Sequence, residues 1–586
     1  MRFGIFYEHQ MPRPWADDAE ETLLNNALEQ VELADKVGID YVWEVEHHFL
    51  EEYSHSSAPE VFLAAASQRT QNIRLGHGIV QIPPGFNHPA RVAERIATLD
   101  LISGGRVEFG TGESSSQTEL GAFGVDREAK RAQWEEGVDA ITRMFVEEPF
   151  GGYDGHSISM PPRSVVPKPK QKPHPPLWVA CSRRETILLA ARRGIGALTF
   201  AFIEPEQAKE WVDEYYALIQ SDECVPAGFA VNPNFAIVLP MMLHKDEATA
   251  IDRGIDGAHF FGFSLAHYYV FGDHRPGITN VWEEFQAKRA EFGFAREIIN
   301  ADDGPLGVKI LEQGFGSLRG AIGTPDQVVE LVERYKQAGV DQVIFVQQCG
   351  ANKHEHVCES LELFGKKVLP HFTRGREEAG ARKREQLAEA CERALARRAP
   401  ARTADPGYVI TPQGEPRPAQ VIAAARSAGA NGAGNGRRTV RQIVGAHLQH
   451  VGESAFSAFV RGRTDEQLER TVGSDRGLRL IFKGMERAFV PERANGFSGE
   501  VQYQLTGSNG AKEWVVRIED GLRAVTGPGH AQNPVVTFRM SIPMFARVAS
   551  QEVHPAKAMM EGDLEVHGDF EAAGRLGEMF GQDSLV

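Results

Sequence analysis

Tyr41-Val-Trp-Glu-Val-Glu-His-His-Phe49 begins apolar and ends ionisable. That profile fits a buried parallel strand whose C-terminal end opens into a polar site. Side chains alternate across a strand, so at most one of His47 and His48 points into such a site while the other packs between strand and helix. Taken alone, a histidine pair at a strand end fits hydrogen-bonded scaffolding better than catalysis, so its chemistry depends on the surrounding chain.

On either side, strand-like runs alternate with helical patterns. Arg2–Tyr7 precedes Asp17–Gly38, where Leu23, Leu24, Leu28, Val31 and Ala34 recur at helical spacing up to a glycine stop. After Tyr41–His47 come the helix Pro59–Thr70, the strand Ile73–Ile82, the helix Pro89–Ser103, the strand Arg106–Gly112 and the helix Arg127–Phe145. A Pro-, Gly- and Lys-bearing excursion, Phe150–Pro176, interrupts the rhythm. It resumes with Leu177–Cys181, Glu185–Arg193, Ala197–Phe202, Glu206–Ile219 and Phe235–Leu243, then a partly helical segment from Glu247, the helix Pro325–Ala338, the strand Gln342–Gln347 and the helix His354–Leu369. Eight strands alternating with helices predict an α/β fold, a (β/α)8 TIM barrel with insertions. An open doubly wound sheet is the alternative, weakened because no GxGxxG follows the first strand.

With 586 residues, 42% of them hydrophobic, the chain is too long for one core. Residues 1–372 form the expected barrel domain, 373–436 an Arg-, Lys-, Glu- and Ala-rich helical extension followed by a Pro- and Gly-rich linker, and 437–586 a smaller α+β domain. In that last part Thr439–Leu448, Asp465–Val472 and Arg476–Phe489 read as helices. Gly499–Leu505, Glu513–Glu519 and Val535–Met540 read as strands joined by turns at Gly507–Gly510 and Asp520-Gly521. Helices return at Pro543–Val548, Ala556–Met560 and Phe570–Met579, around a strand Asp563–His567.

A net charge of -17 argues against nucleic acid as a partner. The five cysteines, Cys181, Cys224, Cys349, Cys358 and Cys391, form no CxxC pair, so neither a disulfide framework nor a metal site is expected, and a reducing cytoplasm fits. Met1–Tyr7 lacks the apolar length of a signal peptide and no run reaches a membrane span, which predicts a soluble protein. The terminal Asp583-Ser-Leu-Val586 is not a peroxisomal address.

In such a barrel, function sits at the C-terminal ends of the strands. That singles out Glu8, Glu46, His47, His48, Gly78, Gly110-Thr-Gly-Glu-Ser114, Cys181-Ser-Arg-Arg184 and Gln347. The Ser182–Thr186 turn, between strand and helix, offers hydroxyls, guanidinium groups and free N–H groups to a phosphate, or else simply caps the helix.

Tyr41–Phe49, Ile73–Pro83 and His88–Gly112 closely resemble the bacterial luciferase-like flavin monooxygenases, as does Lys168–Ala180 followed by Ser182–Thr186 and Ala190-Ala-Arg-Arg-Gly194. The resemblance covers much of the first 370 residues. It implies an enzyme that uses reduced FMN, supplied by a flavin reductase, and O2, and that assembles as a homo-oligomer. It also implies His47 as the histidine that moves protons at the flavin, Gly78 and Ile79 as a non-proline cis peptide beside the flavin ring, Gly112 as part of the cofactor wall, and Ser182, Arg183 and Thr186 as the phosphate grip. Glu113 departs from the pattern, since luciferases carry a basic residue there. Either it turns toward substrate or the cofactor sits differently, as in relatives that use the deazaflavin F420.

Phe489–Tyr503, Trp514–Gly521 and Pro555–Asp569 resemble the sterol carrier protein 2 family over roughly Leu478–Phe580. Such domains hold a lipid between a sheet and its helices, although Met544, Phe545, Met559, Met560 and Phe580 also fit an ordinary core. Together the two resemblances imply oxidation of a hydrophobic molecule: a long-chain aldehyde or ketone, a terpenoid or a steroid. A tether of about 35 residues would supply it at a local concentration near the millimolar range. The remaining alternatives are an F420-dependent oxidoreductase and a lipid-binding protein with an inactive barrel.

Overall fold

A computed structural model describes residues 1–200, 203–289, 319–410, 460, 463–494, 496–508, 510–550, 552–553 and 555–580. The chain divides into two compact units, one over Met1–Tyr269 and Asp273–Asn431, the other over Val270–Gly272 and Gly432–Val586.

Apart from a short antiparallel pair, Tyr153–Asp154 with Ser159–Met160, the strands of the first unit make one sheet: β1 (Arg2–Tyr7), β2 (Tyr41–Glu44), β3 (Arg74–His77), β4 (Val80–Gln81), β5 (Val107–Gly112), β6 (Leu177–Cys181), β7 (Gly196–Thr199), β8 (Phe235–Leu243), β9 (Ala321–Gly323) and β10 (Gln342–Val346). All pair in parallel, in the order β1-β2-β3-β5-β6-β7-β8-β10, and β10 returns to β1 in the register Arg2↔Gln342 through Phe6↔Val346. That pairing closes an eight-stranded barrel, with β9 lying beside the end of β8. The helices that matter for the site are α1 (Ala19–Val37), α2 (Pro59–Arg69), α3 (Pro89–Ile102), α4 (Gln117–Ala122), α5 (Lys130–Val146), α6 (Arg184–Arg192), α7 (Pro205–Gln220) and α8 (Glu247–Ala266).

Local chemistry explains the boundaries. α1 stops at Gly38, whose φ of 95° is cheap only for glycine and whose N–H donates to the carbonyls of Ala34 and Asp35. α3 begins with Pro89, and the preceding His88 side chain accepts from the Ala90 N–H. β8 is buried along all nine residues, as a strand covered on both faces must be.

Inside the barrel, glycines face aromatics. A Cβ on Gly76 would fall 2.2 Å from the Trp43 ring, and one on Gly196 would fall 2.5 Å from Trp178, so the two indoles fill the lumen where neighbouring strands carry no side chain. Below them Glu108 accepts from Arg74 and from Trp178 Nε1. Nearer the C-terminal end, a Cβ on Gly110 would meet the His77 carbonyl oxygen at 2.0 Å, and one on Gly112 would meet Ile79 Cδ1 at 2.4 Å.

That crowding explains one departure from the sequence reading. Ile73–Ile82 was expected as one strand, but it breaks into β3 and β4 around Gly78-Ile79, because the chain steps inward to lay Ile79 over the two glycines of β5. The segment Arg376–Arg397 is helical as expected, yet it is more than a solvated extension. It buries Leu387, Ala390 and Ala394, and its surroundings tie it to the barrel through Lys383 with Asp341, Arg397 with Asp222 and Arg398 with Asp139.

The second unit contains a five-stranded sheet of β11 (Gly499–Gly507), β12 (Gly510–Glu519), β13 (Arg523–Pro528), β14 (Val536–Ser541) and β15 (Leu564–Gly568), in the order β13-β12-β11-β14-β15. β13 was not anticipated. Its Arg523-Ala-Val-Thr-Gly-Pro528 carries a glycine and a proline, which strands usually exclude, and it survives as an edge strand bonded only to β12. Phe482, from the helix Asp475–Ala488, stacks on Trp514 at 4.6 Å and 4°, and on Phe545 at 5.2 Å and 18°, at the centre of the core. The expected helix Thr439–Leu448 lies outside the described residues. Among the described residues no helix is long and apolar enough to cross a membrane.

Candidate active site

The C-terminal mouth of the barrel gathers ionisable groups from three strand ends and two helices. Immediately after β1, Glu8 is 3% exposed. Its Oε1 accepts from the Tyr53 hydroxyl at 2.9 Å, while its Oε2 has no hydrogen-bond partner. Burial pushes the carboxyl up to about 7, against the lowering effects of His47 and Tyr53. The turn holding Glu8 is fixed by its successors. His9 sits at φ 56°, a left-handed conformation unusual outside glycine, with Nε2 2.8 Å from Glu44 Oε1. Gln10 donates to Ser264 Oγ at 3.0 Å and accepts from the Gly350 N–H at 2.8 Å.

β2 ends at Glu44, so Glu46, His47 and His48 lie on the loop that follows rather than on the strand. The two histidines part company there. His48 Nε2 lies 3.2 Å from Glu46 Oε1 and its ring meets Phe123 edge-on at 4.9 Å. His47 turns the other way: Nδ1 is 3.0 Å from Glu119 Oε1, and Nε2 is 3.7 Å from Glu8 Oε2. Burial works against its protonation, but Glu119 and Glu8 outweigh burial and raise the imidazole to about 9. Glu119, on α4, also receives Ser114 Oγ at 2.7 Å and the His48 N–H at 3.0 Å. Although buried, it is held below the usual carboxylate range by His47 and these donors. The arrangement sets one imidazole between two carboxyl groups, a set able to give or hold one proton near neutral pH.

A cover over this cluster comes from the end of α8, which continues as a π-helical turn, His267–Phe271. Such turns break the regular hydrogen-bond ladder and often carry functional side chains. Here the turn brings the Tyr269 hydroxyl to 3.4 Å from His47 Nδ1. Two adjacent carboxylates anchor the following chain. Glu51 accepts from Arg13 Nη2 at 2.6 Å and the Gly277 N–H at 2.8 Å and faces His274 at 3.1 Å, while Glu52 accepts from the N–H groups of Val281 and Trp282. At the rim, Phe49 is 54% exposed at φ 65° and packs on Phe123 at 5.4 Å.

The expected cofactor residues fall in two groups. Gly78, Ile79, Gly112 and Glu113 lie together at the ends of β3, β4 and β5. The Gly78–Ile79 peptide is not cis, as the resemblance implied: among the described residues every cis bond precedes a proline. With a trans peptide the step is closed by the Gly78 N–H donating to the Glu44 carbonyl at 2.7 Å. Glu113 turns toward α5, where Arg131 Nη2 lies at 2.8 Å and Lys130 Nζ at 3.6 Å, so its charge is neutralised within the protein. Ser182, Arg183 and Thr186 form the second group, between β6 and the start of α6. Arg184 is committed to Glu214, whereas Arg183, at the N-cap, has no side-chain partner among the described residues.

Sequence reasoning found Glu8 and His47 but missed Glu119, Tyr53 and Tyr269, which reach the cluster from a short helix, a loop and a π-turn. Among the described residues no group of three or more His, Cys, Asp or Glu side chains is placed to hold a metal.

A model of the luciferase-like monooxygenase family matches residues 1–342, and one of the SCP-2 sterol transfer family matches residues 482–581. The limonene 1,2-monooxygenase of Rhodococcus erythropolis is 38% identical over 148 residues, 25% of this chain and 36% of that protein. The flavin-dependent trigonelline monooxygenase, oxygenase component, of Acinetobacter baylyi is 30% identical over 200 residues, 33% of this chain and 52% of that protein. Matches to these curated relatives thus span about half of their length or less. Among solved structures, monooxygenase RslO1 from Streptomyces bottropensis aligns over 64% of this chain and 100% of its own, with a TM-score of 0.51 and 26% identity.

Proposed function

The chain belongs to the luciferase-like monooxygenase family, matched over residues 1–342, and from that premise we propose that it is the oxygenase component of a two-component system, taking reduced FMN from a separate reductase and oxidising an apolar substrate with O2. The observation that carries this reading is the placement of His47 between the Glu8 and Glu119 carboxyl groups at the barrel mouth. Bound reduced flavin would supply the electrons that activate O2. His47 would hold the proton that an oxygen-transfer reaction must place and later recover. Arg183 and the first N–H groups of α6 form a cationic seat suited to the flavin phosphate, and the pairing of Glu113 with Arg131 and Lys130 removes a charge that would repel it.

An apolar substrate is supported by two findings: the SCP-2 sterol transfer match at residues 482–581 and the limonene 1,2-monooxygenase among the relatives. The second domain would hold the poorly soluble molecule near its site of oxidation.

Two measurements test the reading. Anaerobic titration with FMNH2 and with reduced F420, followed by mixing with O2 and limonene, should give FMNH2 binding and substrate-dependent O2 uptake. Binding of F420 alone would instead make the chain an F420-dependent oxidoreductase. No flavin-dependent O2 uptake with any apolar probe would leave a lipid-binding protein with an inactive barrel. Native mass spectrometry of the full chain should find a co-purified apolar ligand; its absence, with no uptake of added fatty acid or sterol, would remove the carrier role.

A further inference from the structure

The second unit surrounds a phenol with hydrocarbon and gives its hydroxyl nothing to bond. Tyr503 on β11 lies opposite Trp514 on β12 and beside Phe538 on β14, so the three side chains share one face of the sheet. The Tyr503 ring meets Phe538 at 5.2 Å, Phe482 edge-on at 5.3 Å and Phe545 at 5.7 Å. Tyr503 is 8% exposed and Trp514 5%, yet neither the phenol hydroxyl nor the indole N–H has a hydrogen-bond partner among the described residues. Burial raises the pKa of that hydroxyl, and no nearby charge adds to the shift. Buried tyrosines and tryptophans usually find a partner. The other buried polar side chains described in this unit have theirs. Gln502, next along β11 and on the opposite face, donates to the carbonyls of Tyr503, Trp514 and Gly529 and accepts from the Ala531 N–H at 2.7 Å, and Ser550 donates to the Arg547 carbonyl at 3.1 Å. A phenylalanine at position 503 would fill the same space without burying a hydroxyl.

Tyr503 also lies where two covering helices meet. Phe482 comes from the helix Asp475–Ala488 and Phe545 from the helix Ile542–Ala549, and their rings stack at 5.2 Å. Beside them on the same helices, Ile481, Met485, Met544 and Val548 are only partly buried. Methionines adapt to irregular apolar shapes, so this seam suits an apolar body. We propose that the seam between these two helices seats the apolar molecule carried by the second unit, and that Tyr503 and Trp514 recognise one uncharged oxygen on it, a hydroxyl or a carbonyl. The inference rests on the carrier role given under the proposed function and narrows its ligand. A plain hydrocarbon would leave both donors unpaired. A carboxylate would bring its charge to a tyrosine whose ring neighbours are all phenylalanines, with no counter-charge among them. One neutral oxygen, with two lone pairs, can accept from either donor or from both.

The full chain, isotope-labelled at tyrosine, supplies the test. The Cζ resonance of Tyr503, assigned by comparison with Tyr503→Phe, should shift on addition of dodecanol or dodecanone and stay in place with dodecane. The larger of the two shifts tells hydroxyl from carbonyl. In equilibrium binding, Tyr503→Phe should weaken the better of these two ligands about threefold to tenfold, as loss of one neutral hydrogen bond does, and leave dodecane unchanged. With no ligand added, the variant should melt at the temperature of the unaltered chain or above it, since it loses a hydroxyl that has no partner; a hydroxyl that served only the fold would lower it. Dodecanoate binding more tightly than dodecanol would overturn the assignment to an uncharged oxygen. An unmoved Tyr503 resonance, with dodecane and dodecanol bound equally well, would overturn this inference and leave the carrier role standing. Failure of every probe to bind would overturn both.

Discussion

His47→Gln is expected to yield a folded protein that still binds flavin but turns over about 10²–10⁴-fold more slowly, the range that a general acid or base typically contributes. The glutamine amide can still reach Glu119, so the loop after β2 keeps one of its anchors, and the main-chain bond from His47 N–H to the Ser56 carbonyl at 2.8 Å is untouched. What is lost is a group able to carry a proton. The unaltered chain should lose activity as pH rises through about 9, because His47 sheds its proton there, and the variant should lack that limb. His48→Gln supplies the contrast. His48 is turned toward Glu46 and Phe123, away from the carboxylate pair, and its substitution should change turnover by far less. A large loss in the His48 variant with His47→Gln unaffected would reverse the two assignments.

Arg183→Ala should weaken FMN binding about tenfold or more and leave riboflavin nearly unchanged. A hydrogen bond to a charged group contributes about 1.5–3 kcal/mol, and riboflavin has no phosphate with which to form it. Arg184→Ala, one residue along, removes a side chain already bonded to Glu214 and should affect FMN little. Fluorescence titration with both ligands separates the cases. Equal weakening of FMN and riboflavin by Arg183→Ala would indicate damage to the loop rather than loss of a phosphate contact.

The barrel was legible because its signal is local. Each strand is a short apolar run, each helix carries its own period and stop, and Gly38 or Pro89 marks a boundary within a few residues of the element it bounds. His47 and Glu8 were legible for a related reason, since a barrel puts its chemistry at strand ends and both follow a strand closely. Glu119 was not, because nothing in Gln117–Ala122 distinguishes a six-residue helix from the loop around it, and the contact with His47 spans 72 residues of chain. Tyr269 was further out of reach: its position depends on a π-turn 222 residues from the histidine it meets. The break at Gly78-Ile79 follows from Gly110 and Gly112 on a neighbouring strand, so no reading of Ile73–Ile82 by itself could supply it.

The closure of the barrel bears on how the protein is made. β1 is hydrogen-bonded on one side to β2, but its other partner is β10, with Arg2 opposite Gln342. Ribosomes add about 5–20 residues per second, so roughly twenty seconds to a minute of synthesis separates the two edges. Over that interval β1 presents a row of unpaired main-chain groups, the kind of edge that recruits foreign strands. The bond Arg2 makes to Asp40 at 2.8 Å is available early, whereas Arg376, which reaches the same carboxylate at 3.2 Å, arrives only after the ring can close. The seam between the first strand and the last is therefore where a nascent chain is most exposed to chaperones and to misassembly, and Arg376 is the late fastening across it.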